Sequence, residues 1–143
     1  MRTVHTQIDI DAPVYKVWEL ITDLEHYAEW NPFVVMGRGP IRLGEKITVR
    51  AQPAGTPGKT FHPVITRLVP EKELRWLGHF LVPGLVSGEH IHILESLGEN
   101  RTRYIHDDAF SGILLPVVWS RLAAVTRRGF EKMNKALKER AES

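Results

Sequence analysis

The 143-residue chain contains no cysteine, which excludes disulfides, thiolate catalysis and cysteine-based metal sites together. It has no long apolar run. The longest, Ile113 to Trp119, falls far short of the roughly 20 residues that a membrane-spanning helix needs. Met1 to Pro13 carries Asp9 and Asp11 and no apolar h-region, so it is not a secretory signal, and the expected location is cytoplasmic. There is no glycine-rich phosphate loop, no HExxH and no serine–histidine–aspartate order to defend. The expectation is therefore of no cofactor and no metal. Strong charge of one sign is also lacking: the net charge is +2, with a pI near 9.0. The basic excess lies on the outer face of the last helical stretch, with acids interspersed and no aromatic residue interleaved. That pattern reads as a solvated face and argues against a nucleic-acid partner.

What the chain does have is the hydrophobic content of an ordinary globular protein, 43%, and a long amphipathic stretch near its end. From about Leu115 to Ala141, a spacing of 100° per residue gathers Val118, Trp119, Leu122, Val125, Thr126, Gly129, Phe130, Met133, Ala136 and Leu137 on one arc. Arg121, Arg127, Arg128, Glu131, Lys132, Lys135, Lys138 and Glu139 take the other side. An arc that wide suits a helix lying across a sheet. Pro116 fits its first turn, where a missing N–H costs nothing. Gly129 interrupts the apolar arc, where a mid-helix glycine costs about 1 kcal/mol relative to alanine. Two readings stand: close packing against a strand or a large aromatic, or a helix face left hollow for a ligand.

The rest alternates in shorter pieces. Arg2 to Asp11 reads as a strand, and Asp11-Ala12-Pro13 as a helix start with Asp11 as N-cap. Asp23 opens a second short helix, stopped by Asn31-Pro32. Six strands follow: Phe33 to Gly39, Lys46 to Ala51, Thr60 to Val69, Glu73 to Val82, Leu85 to Leu97 and Thr102 to Phe110. Short connections make these an antiparallel meander. The predicted fold is α+β: one domain over residues 1–143, in which a curved antiparallel sheet of about seven strands wraps a long C-terminal helix and two short helices follow the first strand.

Several fragments in this order resemble the START/Bet v 1-like superfamily of helix-grip proteins, in particular the polyketide cyclase/dehydrase-like (SRPBCC) branch. They are Ile10-Asp11-Ala12-Pro13 with Val17-Trp18, Trp30-Asn31-Pro32-Phe33, Glu73-Leu74-Arg75-Trp76, Gly88-Glu89-His90, Thr102-Arg103, Phe110-Ser111-Gly112 and Met133-Asn134-Lys135-Ala136-Leu137. The resemblance implies a deep apolar cavity for lipids, polyketides or other hydrophobic small molecules. It does not by itself imply a chemistry, because fold does not dictate function.

Candidate chemistry centres on histidines. Five of the seven fall in predicted strands: His62, His79, His90, His92 and His106. A two-residue turn at Glu99-Asn100 pairs His92 with Asp107, putting His90 and His92 on one face and His106, Asp108, Tyr104 and Phe110 on the other. A bulge in the hairpin reverses part of that assignment. Three readings compete: an acid/base pair of His106 and Asp108, a metal site from His90, His92 and a carboxylate, and rim imidazoles satisfied by water. The favoured function is non-catalytic binding of a hydrophobic small molecule between sheet and helix. Its walls are Trp30, Phe33, Trp76, Phe80, Tyr104 and Phe110 from the sheet side, and Leu122, Thr126, Phe130 and Met133 from the helix. His106 and Asp108 are the polar anchors and the weak candidates for catalysis. The alternatives are a cyclase or dehydratase acting on a polyketide-like substrate in the same cavity, and an interaction module with a filled interior. The sequence allows a monomer or a homodimer.

Overall fold

The computed structural model describes residues 1–80 and 82–143; Leu81, inside the strand expected over Glu73 to Val82, lies outside the described residues. In chain order the elements are β1 (Arg2–Ile10), α1 (Val14–Thr22), a short 3-10 helix (Leu24–Glu29), β2 (Val34–Arg38), β3 (Thr48–Ala51), β4 (Lys59–Phe61), β5 (Val64–Val69), β6 (Glu73–Phe80), β7 (Val86–Gly98), β8 (Arg101–Ser111) and α2 (Leu115–Glu142). Five strands form one antiparallel sheet in the order β1-β8-β7-β6-β5, and β2-β3-β4 form a second. No helix among the described residues is long and apolar enough to cross a membrane.

Among the described residues eight strands stand where about seven were expected, because the stretch Thr60 to Val69 divides at His62-Pro63 into β4 and β5. Proline has no N–H to give a ladder. Its carbonyl is used instead, accepting from Ile47 N at 2.9 Å, while Ile65 N donates to Glu45 O at 3.0 Å and Gly44 N to Ile65 O at 2.9 Å. These bonds stitch the small sheet to the edge of the large one, and together they bend around α2.

Helix α2 buries Thr126, Gly129, Phe130, Met133, Asn134, Leu137 and Ala141 against the concave side. Its first turns are different: Val117 and Val118 are exposed, although Val118 belongs to the predicted apolar arc. Helix α1 is preceded by Pro13 with no side-chain cap, so the expected role of Asp11 is not filled. Its backbone N–H bonds Glu142 Oε2 of α2 instead, at 2.8 Å. Asp23 does precede the 3-10 helix, but its carboxylate meets His26 Nδ1 at 2.7 Å rather than capping the backbone.

Gly129 is packed, not hollow. A Cβ there would lie 2.3 Å from Phe33 Cδ1, so the ring of Phe33 occupies the space that the missing side chain leaves. Asn31 aims that ring: its Oδ1 accepts from Phe33 N at 3.0 Å and Val34 N at 2.8 Å. The side chain thereby closes the turn after the 3-10 helix. Phe33 then meets Phe130 edge to face, 5.7 Å between centroids.

Candidate functional site

The inner face of the central strands carries an unusual strip of polar groups. Its origin is one extra residue. Ser96 pairs with Thr102, but Gly98 pairs with Arg101, so the hairpin contains a bulge at Leu97. Gly98 takes a φ of 143°, which glycine tolerates. The shift places His92 opposite His106, His90 opposite Asp108 and Leu94 opposite Tyr104. The expected pairing of His92 with Asp107 does not form. All three imidazoles share the face that looks at α2, while Asp107 points outward to His5 at 2.8 Å.

His92 and His106 are fully buried and His90 nearly so, at 7% exposure. Their hydrogen bonds fix most of the protons. Thr6 Oγ1 donates to the carbonyl of His106 at 2.5 Å and so accepts from Asn134 Nδ2 at 3.0 Å. Asn134 must then present Oδ1 to His106 Nδ1, 2.7 Å away, which makes that nitrogen a donor. Neutral His106 keeps a lone pair on Nε2, which accepts from His90 Nε2 at 2.5 Å. His92 Nδ1 bonds the Tyr104 hydroxyl at 2.5 Å. The rings pack in a tight stack, with Phe130 lying 3.8 Å from His106 centroid to centroid and Trp76 edge-on to both His90 and His92 at 4.8 Å.

Burial holds all three histidines neutral. It lowers His106 to about 3, against the opposing effect of the hydrogen bond that His106 donates to Asn134. It puts His90 and His92 well below their ordinary value, helped by repulsion from the neighbouring imidazoles. The carboxyl of Asp108 is pushed well upward, first by burial and then by Glu89 and Asp107.

Three buried side-chain atoms among the described residues lack a partner: Asn31 Nδ2, His92 Nε2 and Asp108 Oδ1. Two of the three belong to this strip. Such atoms cost about 1–3 kcal/mol each, which a binding site is entitled to hold in reserve.

Beside the strip lies a cavity of about 100 Å³, lined by Trp76, Gly78, Phe80, Gly88, His90, Asp108 and Phe110 from the large sheet, Phe33, Val49 and Phe61 from the small-sheet side, and Thr126 and Phe130 from α2. A groove of about 280 Å³ shares Phe33, Phe61, Phe80 and Thr126 with it. A further groove of about 390 Å³ shares Phe80, Leu122 and Val125 and reaches Leu114, Val118 and the cations Lys59 and Arg121. Each shares walls with the next, so the three lie side by side as an apolar trough from Asp108 to the first turns of α2.

Of the wall residues expected from the sequence, Phe33, Trp76, Phe80, Asp108, Phe110, Thr126 and Phe130 line the cavity and Leu122 the grooves. Tyr104 and Met133 are fully buried in the packed core, and Trp30 packs at the side against Tyr27, 5.4 Å away. His106 sits behind His90 with both nitrogens engaged, so it does not pair with Asp108. His90 is the histidine that borders the cavity with Asp108. Sequence reasoning missed that role and missed Asn134, although Asn134 stands at helical spacing between Phe130 and Leu137.

The family model described as "Polyketide cyclase / dehydrase and lipid transport" matches residues 1–142. The chain belongs to that family. Solved structures agree on the family fold. The Zhui aromatase/cyclase from Streptomyces sp. R1128 superposes with a TM-score of 0.80 at 18% identity, over 99% of this chain and 93% of that one. A START superfamily protein from Mycobacterium smegmatis gives 0.80 at 17% identity, over 98% and 97%. The di-domain ARO/CYC BexL from the BE-7585A biosynthetic pathway gives 0.79 at 18% identity, over 97% of this chain and 46% of that one. No curated protein matches the sequence. At such identities the likeness of this family member to the solved structures is one of fold.

Proposed function

We propose that this family member binds a hydrophobic small molecule bearing an oxygen function, its apolar body in the trough and its oxygen against Asp108 and His90. The observation that carries the reading is the end of the trough at Asp108, where a carboxyl with an unpartnered Oδ1 stands beside the His90 imidazole in otherwise apolar walls. Affinity then comes from apolar burial at roughly 25 cal/mol per Å², with orientation set by the two polar groups. Native mass spectrometry of the purified protein tests this. A co-purified apolar mass that Asp108→Leu releases supports the reading, and a bare chain that also fails to take up added aromatic alcohols contradicts it.

A second reading, a dehydratase or cyclase in the same cavity, is favoured by the same pair. His106 accepts the proton on His90 Nε2, which leaves His90 Nδ1 a lone pair. Asp108 can then give its proton to a departing hydroxyl, releasing water, while His90 Nδ1 takes the proton from the adjacent carbon. Turnover of a β-hydroxy ketone by wild type, lost in Asp108→Asn, distinguishes an enzyme from a carrier.

A further inference from the structure

The binding reading uses only the cavity side of the strip and leaves the rest of the histidine cluster without a task. One ring nitrogen of each of His90, His92 and His106 lies within 4.8 Å of those of the other two, and all three side chains are buried. A core packed from neutral imidazoles gains little from them that phenylalanine or leucine would not supply. It also carries the cost of His92 Nε2, enclosed and without a partner.

The bonding around the cluster is that of ligands held ready. His106 Nδ1–H is anchored on Asn134, which is in turn anchored on Thr6, so Nε2 faces the cluster with its lone pair. His92 Nδ1 is anchored on the Tyr104 hydroxyl, so its remaining nitrogen is also Nε2. Fixing an imidazole through one nitrogen while the other faces an ion is how metal-binding histidines are oriented. His90 completes the set after its proton moves from Nε2 to Nδ1, with no net loss of protons.

We infer that His90, His92 and His106 form a binding site for a divalent transition-metal ion, held through their Nε2 atoms. Three imidazoles suit zinc, copper, nickel or iron, and exclude calcium and magnesium, which take oxygen ligands. His90 and His106 Nε2 are 2.5 Å apart. Tetrahedral bonds of 2.0–2.1 Å require about 3.3 Å, so the rings part by roughly 0.8 Å as the ion replaces the shared proton. Asp108, opposite His90 in the register, places a carboxyl on the cavity side of the set. The cavity that His90 borders is the route by which ion and water reach the site. The site shares His90 with the carrier reading, but an apolar molecule can occupy the trough with or without the ion, so loss of cobalt binding and loss of the apolar guest are separate results. It excludes the dehydratase reading, because an ion on His90 Nε2 puts the proton on Nδ1 and removes the base.

The test is a titration of chelator-treated protein with cobalt(II) chloride, followed by visible absorption, and with zinc chloride in competition. One cobalt per chain with the intense bands of a tetrahedral nitrogen site is expected. His92→Phe removes a ligand and the unpartnered nitrogen but leaves the buried Tyr104 hydroxyl without its partner, so its fold is checked by circular dichroism, and the folded variant binds cobalt at least about 100-fold more weakly; Asn134→Ala, which loosens His106, weakens binding about 10-fold. His26→Asn, on the surface beside Asp23, leaves binding unchanged. No cobalt spectrum, or a spectrum that persists in folded His92→Phe, overturns the assignment.

Discussion

His106 Nδ1 donates to Asn134 Oδ1 across 2.7 Å, joining the middle of β8 to the buried face of α2. The bond is the polar pin in an apolar contact between sheet and helix. Asn134→Leu removes its acceptor and strands both the imidazole N–H and the Thr6 hydroxyl lone pair. Chemical denaturation should show a loss of about 1–3 kcal/mol, the cost of leaving a buried donor unpaired. A loss within error of zero means that the two side chains do not meet.

Phe33 and Gly129 are coupled by sterics. Gly129→Ala places a Cβ 2.3 Å from the Phe33 ring, which Phe130 prevents from swinging aside. A destabilisation of about 1–3 kcal/mol is expected despite alanine's better helix propensity. In a Phe33→Ala background the same change should stabilise, by up to about 1 kcal/mol. That change of sign in a double-mutant cycle is the check, and simple additivity refutes the packing.

Asp108 should cost stability in the ligand-free protein. Asp108→Leu replaces a half-buried carboxyl, whose enclosed Oδ1 has no partner, by an apolar side chain next to free volume. Its midpoint of urea unfolding should rise by the equivalent of about 1 kcal/mol, while uptake of oxygen-bearing ligands falls. A drop in stability indicates a partner for Oδ1.

Acid should unfold the metal-free protein early. The three histidines are neutral when folded and titrate near 6.5 when unfolded, so the unfolded chain binds more protons below that value. Stability is therefore full above about pH 6.5 and lost as pH falls toward His106's folded value of about 3, by up to ~1.4 kcal/mol per pH unit for each histidine. Asp108 works in the opposite sense, since its raised value relieves a penalty as pH falls, but it is one group against three. Urea midpoints at pH 7.5, 6 and 5 in the presence of a chelator should decline in that order, and a flat profile contradicts burial of neutral imidazoles.

The order of elements and the reach of α2 were legible because period-2 and period-3.6 patterns survive in single stretches. The site was less so, because it depends on relations between stretches. One bulged residue at Leu97 moves His90 and His92 to the face of His106, and no local pattern marks it. Asn134 looked like a polar interruption until a histidine stood opposite it. Gly129 carried two meanings until Phe33, 96 positions earlier in the chain, was seen to fill its place.

The central claim is that the trough between sheet and helix receives an apolar guest. Gly78 lies on its wall, and a Cβ added there meets only Pro63, at 3.7 Å, so the strand backbone accepts a side chain and Gly78→Leu directs its bulk into the cavity. Fluorescence titration with 8-anilinonaphthalene-1-sulfonate, whose rings suit the trough and whose sulfonate suits Lys59 and Arg121 at its mouth, compares the two proteins directly. Saturable one-to-one enhancement in wild type, lost in folded Gly78→Leu, is the predicted result; no enhancement in wild type, or the same curve from both, contradicts it.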